Sequence, residues 1–307
     1  MSRLKVGVIG LGNMGRHHVR IYSELPSVEL VAVCDPIARQ AQQFASRYGC
    51  QAYTDTDTFL RASGVQAISI TSPTSTHFAL ARSALMAGIH VLVEKPISET
   101  VAEADALIDL ATEKQLTLTV GHIERFNPAI VALLTRVRQD VLGSITSLLG
   151  RRASPMPTQI QDANVMIDLA VHDIDIFCAL FGAVPTEVIG STGRALISDR
   201  EDHAELFLRY PSGSAYLAVN WITPVKIRTL AVTGSKAYAE VNYIDQTLTL
   251  WKTDGTAEVI SVDRQEPIRL ELAHFVDCVL HQKPPAVSAT DGRNALSIAL
   301  KTLDQLV

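Results

Sequence analysis

Three glycines in the pattern GxGxxG, Gly10-Leu11-Gly12-Asn13-Met14-Gly15, stand between a short apolar run and a segment with helical periodicity. The first glycine permits a tight turn, the second allows close approach to the backbone, and the third lets the helix pack closely on the strand. An acidic residue, Asp35, ends the next apolar run twenty residues after Gly15. A strand, such a turn and a helix form the first unit of a parallel sheet that is covered by helices.

The rest of the chain extends this pattern and then departs from it. The first 120 residues alternate continuous apolar runs with helix-like segments, which is typical of parallel strands buried on both faces. After about residue 121, several short strand-like runs follow one another with turn signals between them. For 307 residues we therefore predict two domains of class α/β: a Rossmann domain with a doubly wound parallel sheet in residues 1–121, and an α+β domain with an open-faced, mostly antiparallel mixed sheet in residues 122–307.

The glycine turn and the acidic residue together predict binding of a dinucleotide. A helix N-terminus offers free N–H groups and a positive dipole end to a pyrophosphate, with Asn13 and Met14 lying in the turn itself. A carboxylate at Asp35 bonds the adenosine ribose hydroxyls and repels a 2′-phosphate, which favours NAD and leaves NADP as the alternative cofactor. The competing interpretation is a tight turn that binds no ligand.

Two further motifs follow apolar runs, so we expect them at the carboxyl edge of the parallel sheet, where ligands of such folds bind. Ser72-Pro73 interrupts one strand and leaves backbone groups free to meet a cofactor, unless the neighbouring hydroxyls only cap the next helix. Glu94-Lys95 ends another strand. An ammonium group there can lie beside the nicotinamide and a substrate hydroxyl, and an ordinary charged strand end is the alternative.

Asp168 and His172 stand four residues apart in a predicted helix, Val165–Phe181, and therefore share a face of it. An imidazole can accept the proton of an alcohol while hydride leaves the carbon, and a carboxylate can orient the substrate or stabilise the imidazolium. A pair that only stabilises the helix fits the pattern as well. No third ligand stands at a matching spacing, so we predict no metal.

Other polar residues are candidate substrate contacts. His122 follows the last strand of the first domain, and Asn127 comes shortly after it. Arg151 and its neighbour Arg152 would suit a phosphorylated substrate, although adjacent arginines are more often solvated or paired with carboxylates.

The composition argues against several classes of partner. Lys and Arg number 27 against 32 Asp and Glu, a formal net charge of −5, which disfavours nucleic acid and anionic membranes. No uncharged apolar run approaches the roughly 20 residues that span a bilayer. The N-terminus leads directly into a predicted strand and offers no apolar signal region followed by a cleavage site. The four cysteines lack CxxC spacing and fit reduced thiols, so we predict a cytoplasmic protein.

In order and separation, the glycine motif, Asp35, Glu94-Lys95-Pro96 and the Asp168–His172 pair resemble the glucose–fructose oxidoreductase, inositol dehydrogenase and rhizopine catabolism family of NAD(P)-dependent oxidoreductases. The resemblance covers essentially the whole chain. It implies Lys95 near the nicotinamide, His172 as the proton acceptor, and Asp168 binding substrate or supporting His172. It also implies a homo-oligomer, a dimer or tetramer, formed through the C-terminal sheet, and a last helix near 292–306 that packs back on the first domain.

Three longer stretches are similar to the branch of this family that contains UDP-N-acetylglucosamine 3-dehydrogenases, namely Val120–Pro128, Ile167–Asp175 and Ala239–Tyr243. We therefore predict a dehydrogenase that transfers hydride between a nicotinamide cofactor and a secondary alcohol of a sugar or sugar nucleotide. An inositol or free-sugar dehydrogenase is the alternative within the family. A dinucleotide-binding sensor without catalysis is the alternative outside it.

Overall fold

A computed structural model describes residues 3–156 and 163–304 of the chain. The chain divides into two compact units. The first contains the chain up to His122 together with Ile268–Arg293, and the second contains Ile123–Pro267 and the chain from Asn294 onward.

The first unit is built on a six-stranded parallel sheet. Its strands are β1 (Leu4–Ile9), β2 (Val28–Cys34), β3 (Gln51–Tyr53), β4 (Ala67–Ile70), β5 (His90–Glu94) and β6 (Leu118–Gly121). They lie in the order β3-β2-β1-β4-β5-β6, and each neighbouring pair is parallel. The order reverses direction between β1 and β4, which is the point where open α/β sheets bind ligands.

Helices connect these strands. They are α1 (Gly15–Glu24), α2 (Ala38–Tyr48), α3 (Thr56–Ala62), α4 (His77–Met86) and α5 (Val101–Lys114), and α8 (Pro267–His281) joins them from the C-terminal part of the chain. In α5 a capping box fixes the start, because the Thr100 hydroxyl accepts from the Glu103 N–H and the Glu103 carboxylate accepts from the Thr100 N–H. The pattern of apolar runs missed β3, which is only three residues long and begins with an exposed glutamine.

The second unit contains an eight-stranded mixed sheet. Its strands are β7 (Ile145–Ala153), β8 (Glu187–Gly193), β9 (His203–Tyr210), β10 (Gly213–Asn220), β11 (Ile227–Gly234), β12 (Ala237–Asn242), β13 (Thr247–Lys252) and β14 (Ala257–Ile260). The order is β14-β13-β12-β11-β7-β10-β9-β8, and among these described strands only β7 and β10 pair in parallel.

Helices α6 (Pro128–Arg138) and α7 (Val171–Phe181) pack on one face of this sheet, and residues of both belong to its apolar core. The last helix, α9 (Ala289–Asp304), follows α8. We predicted it to reach residue 306, and the end of that range lies outside the described residues. The predicted fold class is confirmed, with a doubly wound parallel sheet followed by a mostly antiparallel mixed one.

The opposite face of the mixed sheet carries a row of exposed apolar side chains. Ile189, Phe207, Tyr216 and Leu149 stand opposite one another on four neighbouring strands, and each is between 37% and 53% exposed. In a strand, alternate residues point to opposite faces, so this row is turned away from α6 and α7. Of the helices in the described part of the chain, none has the length and apolar character required to cross a membrane.

Candidate functional site

The surroundings of the three glycines in the motif differ, and so does the reason for a glycine at each position. Gly10 has φ of +87°, and a Cβ there would lie 2.6 Å from the Ser72 backbone nitrogen. A Cβ at Gly15 would lie 2.0 Å from the Gly10 oxygen, so this position must remain bare for α1 to pack on β1. A Cβ at Gly12 would meet nothing within 4 Å. The fold therefore requires the first and third glycines, whereas the open space at Gly12 fits a pyrophosphate that approaches the backbone from outside.

The start of α1 is suited to the same group. Met14 occupies the N-cap position, and its side chain makes no capping hydrogen bond to the first N–H groups. Asn13 is exposed beside it. Uncapped N–H groups at a helix N-terminus are an anion-binding site, so α1 and the turn can hold the phosphates of a dinucleotide.

Asp35 lies directly after β2 and is 7% exposed. Its two oxygens accept hydrogen bonds from the backbone N–H groups of Leu11 (2.8 Å) and Ile37 (2.9 Å). A carboxylate has about four acceptor positions, so two remain for ribose hydroxyls. The bond to Leu11 also holds the carboxylate against the glycine turn, where the adenosine end of NAD would lie.

The two motifs at the carboxyl edge are joined by His77, the first residue of α4. One ring nitrogen lies 2.9 Å from the Ser72 carbonyl oxygen and the other lies 2.8 Å from that of Pro96. The Ser72 hydroxyl itself is 2.6 Å from the Thr76 hydroxyl, and Pro73 is exposed. His77 therefore braces both cofactor-edge loops, a role for which its sequence position gave no signal.

Lys95 is half-buried and follows β5 directly. Its N–H donates to Oε2 of the buried Glu94 (3.3 Å), and Oε1 of Glu94 lies 3.2 Å from Nε2 of His18. Burial disfavours the Glu94 carboxylate, but the hydrogen bond with His18 and the charge of Lys95 act together against it, and the pKa of Glu94 lies below its ordinary value. Glu94, the last residue of β5, therefore places a negative charge next to Lys95.

In the second unit, the helix predicted over Val165–Phe181 contains a change of type. Met166–Ala170 is π-helical and continues directly into α7. Asp168 lies in the π-helical segment and His172 in α7, and both are half-buried. Because four residues make close to one turn in either type, the pair projects from one side of the helix. Short π-helical insertions occur frequently at functional sites.

The adjacent arginines of β7 lie on opposite faces of the sheet. Arg152 is 1% exposed and pairs with Asp173 of α7, while its Nη1 donates to Glu124 at 2.9 Å. Burial opposes its charge, but Asp173 and Glu124 raise the pKa of Arg152 above its ordinary value. Arg151 is exposed on the other face, away from α7, so the structure does not bring it together with Asp168 and His172.

Two other predicted substrate contacts are buried. Asn127 is the N-cap of α6: its oxygen accepts from the Ala129 N–H, and its amide donates to Glu124 and to the Tyr243 carbonyl. The sequence Asn-Pro at the start of a helix is a capping signal, and it accounts for this residue without a substrate. His122, at the end of the first unit, is 2% exposed.

Sequence reasoning missed a cation in the second unit. Arg228 of β11 is 32% exposed in its side chain and donates to Glu124 at 3.2 Å. The charge of Asp168 acts on its pKa, so the two side chains are close enough to interact. Among residues 3–156 and 163–304, no three side chains of His, Cys, Asp or Glu come together as metal ligands would.

A dinucleotide turn at the switch point of a parallel sheet, followed by a mixed sheet whose helix carries an acid and a histidine, defines an NAD-binding oxidoreductase. Residues 4–122 match the family model described as "Oxidoreductase family, NAD-binding Rossmann fold", and residues 130–240 match the "GFO/IDH/MocA C-terminal domain". The chain therefore belongs to the glucose–fructose oxidoreductase, inositol dehydrogenase and rhizopine catabolism family, and the predictions of family and of NAD as cofactor are confirmed.

Several relatives match over nearly their full length. The UDP-N-acetylglucosamine 3-dehydrogenase of Acidithiobacillus ferrooxidans is 33% identical, over 98% of this chain and 96% of that protein. The scyllo-inositol 2-dehydrogenase (NAD(+)) of Bacillus subtilis is 28% identical, over 97% of this chain and 92% of that protein. A solved structure of the Acidithiobacillus enzyme superposes with a TM-score of 0.92 at 32% identity, and the match covers 99% of this chain and 98% of the other.

Proposed function

We propose that the chain is a dehydrogenase of a sugar nucleotide and oxidises the 3-hydroxyl of UDP-N-acetylglucosamine to a ketone. The observation that carries this proposal is the Asp168–His172 pair, which is half-buried on one side of a helix in a chain with an NAD turn. Whole-length similarity to an enzyme named for that reaction supports the choice of substrate.

In this mechanism His172 accepts the proton of the substrate hydroxyl, and Asp168 orients the substrate or stabilises the imidazolium that forms. Lys95, at the cofactor edge of the parallel sheet, polarises the substrate oxygen through its ammonium group. Bound NAD supplies the acceptor for the hydride that leaves the carbinol carbon. The products are then a ketone, NADH and one proton, so atoms and electrons balance.

Arg228 favours an anionic substrate over a neutral one. It is a partly exposed cation that interacts with Asp168 and donates to Glu124, but burial and the nearby Arg152 still lower its pKa below the ordinary value, so a further anion would stabilise its charge. The diphosphate of a sugar nucleotide would offer such an anion. An inositol or a free sugar lacks this group and remains the second candidate because of the similarity to inositol dehydrogenases.

Hydride exchange tests the function directly, because alcohol oxidation by NAD is often uphill and escapes an absorbance assay. The protein is incubated with NAD, NADH deuterated at nicotinamide C4, and UDP-sugars, inositols and free sugars with their ketones. Deuterium at C3 of UDP-N-acetylglucosamine is the expected result. Deuterium found only in an inositol or a free sugar would identify that compound as the substrate in place of the sugar nucleotide. The absence of label in every compound, with NAD bound, would support the sensor alternative.

We also propose that the protein is cytoplasmic and forms a homo-oligomer through the mixed sheet. All four cysteines are free thiols, as a reducing compartment permits. The apolar row of Ile189, Phe207, Tyr216 and Leu149 crosses four strands on the exposed face. Contiguous exposed apolar side chains of this kind mark protein–protein contacts.

Replacing Phe207 by Asp is expected to convert the oligomer into a species near 33.3 kDa, the mass of one chain, because a charge would be buried in the contact. Light scattering after size exclusion measures the mass. Met86→Asp is the matched control, since Met86 is 58% exposed at the end of α4, and this variant should keep the wild-type mass. An unchanged mass for Phe207→Asp would place the contact elsewhere.

A further inference from the structure

Two buried glutamates lie within the first unit. Glu94, the last residue of β5, is 8% exposed, and Glu271 of α8 is 2% exposed. Neither oxygen of Glu271 has a hydrogen-bond partner among the residues that the structure describes. Buried polar groups in native proteins nearly always have a partner, so the state of this carboxyl group requires an explanation.

Glu94 has the partners that Glu271 lacks. Its carboxylate contacts Nε2 of His18 and accepts from the Lys95 N–H. The neighbouring strand makes room for it, since a Cβ at Gly121 would lie 2.9 Å from Oε2 of Glu94. The surroundings of Glu94 therefore stabilise a negative charge on its carboxylate. A hydrogen bond from the Lys95 N–H connects this carboxylate to the backbone of Lys95.

The titratable groups around the two carboxyls come from four elements. They are His18 and Tyr22 of α1, His77 of α4, Glu94 with the following Lys95 at β5, and Glu271 of α8. The Tyr22 hydroxyl bonds Ser69 at 2.7 Å, and burial raises the pKa of Tyr22, so this phenol stays neutral. The positive and hydrogen-bonding groups act on Glu94, whereas Glu271 faces burial and the charge of Glu94.

The environments of the two carboxyls shift their pKa values in opposite directions. Burial and, after it, the charge of Glu94 raise the pKa of Glu271 well above its ordinary value. The pKa of Glu94 is lowered, as described above. Two buried carboxyls whose charges interact cannot both ionise cheaply, so the protonated form is favoured at Glu271 and the charged form at Glu94.

We propose that Glu271 is a positioning residue: it stays uncharged, so that the single negative charge of the pair rests on Glu94 and fixes Lys95. This inference rests on the proposed role of Lys95. Ionisation of Glu271 would place a second negative charge in the same interior and repel Glu94, which would loosen the backbone contact to Lys95 at the cofactor edge.

This arrangement makes the stability of the fold fall as pH rises. The native state holds the Glu271 proton more tightly than the unfolded chain, in which a glutamate ionises near pH 4.3. Stability is therefore lost as pH rises from that value towards the raised native pKa. Gln at position 271 has the same shape and no proton to lose, so Glu271→Gln should lack this slope.

The test compares the full-length wild type with Glu271→Gln and with Glu113→Gln, which removes an exposed carboxylate from α5 of the same unit. Melting temperatures and the Kd for NAD are measured from pH 5 to 9. We expect the melting temperature of Glu271→Gln to exceed that of wild type by a gap that widens with pH, while Glu113→Gln runs parallel to wild type. We also expect wild type to lose NAD affinity once pH exceeds the native pKa of Glu271, by up to about tenfold per pH unit for one linked proton, and Glu271→Gln to lose less.

Parallel melting profiles of wild type and Glu271→Gln would overturn the uncharged state of Glu271. A widening gap with identical NAD profiles would overturn the positioning role and leave a merely structural acid. If Gln fails to fold, Glu271→Met, which is neutral and of similar length, replaces it. Neither measurement uses a substrate, so failure to find a sugar-nucleotide activity is a separate outcome.

Discussion

Replacing His172 by Ala is expected to lower turnover by about 10²–10⁴-fold, the usual contribution of a positioned general base. NAD affinity should stay near that of wild type, because the glycine turn and Asp35, which we expect to hold the dinucleotide, include no residue of α7. Single-turnover rates with the substrate found by hydride exchange measure the first quantity, and calorimetry with NAD measures the second.

A matched histidine separates catalysis from general damage. His281 is exposed at the end of α8, and its replacement by Ala should leave turnover unchanged. Asp168→Asn should lower turnover and keep the fold, because an amide preserves shape but cannot stabilise an imidazolium. Loss of NAD binding together with turnover in His172→Ala would mean that the histidine has a structural role.

Replacing Arg152 by Met is expected to lower the free energy of unfolding by about 3–5 kcal/mol. The change leaves two buried carboxylates, Glu124 and Asp173, without their main positive partner. It also removes the guanidinium that stacks 5.0 Å from the centre of the Tyr243 ring. Urea unfolding followed by tryptophan fluorescence measures the loss, since both tryptophans, Trp221 and Trp251, belong to the second unit.

The neighbouring arginine is the control for this prediction. Arg151 lies on the exposed face of the same strand, so Arg151→Met should change stability by no more than about 0.5 kcal/mol. Equal losses for the two variants would contradict the assignment of the two faces of β7. A loss for Arg152→Met below about 1 kcal/mol would mean that the cluster relaxes or admits water.

The fold was predictable because its signals are local. Continuous apolar runs and the glycine turn predict the parallel sheet, and helix periodicity predicts the segment that carries Asp168 and His172. The change from π-helix to α-helix within that segment was not predictable, since it depends on tertiary packing. The face of β7 that each arginine occupies also depends on which neighbours supply carboxylates, here Glu124 and Asp173.

Site residues that directly follow a strand could be predicted from the sequence. Residues brought together from distant parts of the chain could not. The motif gave Gly12, Asp35 and Lys95, and these positions fit the dinucleotide edge. Glu271 lies 177 positions after Glu94 in an ordinary amphipathic helix, so no local pattern marks it. Asn127 shows the opposite case, because the capping signal in the sequence already gives a structural reason for a residue that we also predict to contact substrate.

The strand order of the mixed sheet has a consequence for how the second unit acquires its structure. The sheet contains two meanders of sequential antiparallel strands, β8–β9–β10 and β11–β12–β13–β14. Strand β7 lies between them and pairs with β10 on one side and β11 on the other. Hairpins between successive strands form rapidly, whereas β7 must close long loops to reach β10 and β11. We therefore expect the two meanders to form early, and refolding to be limited by entry of β7, the step that also takes the Arg152 charge out of water.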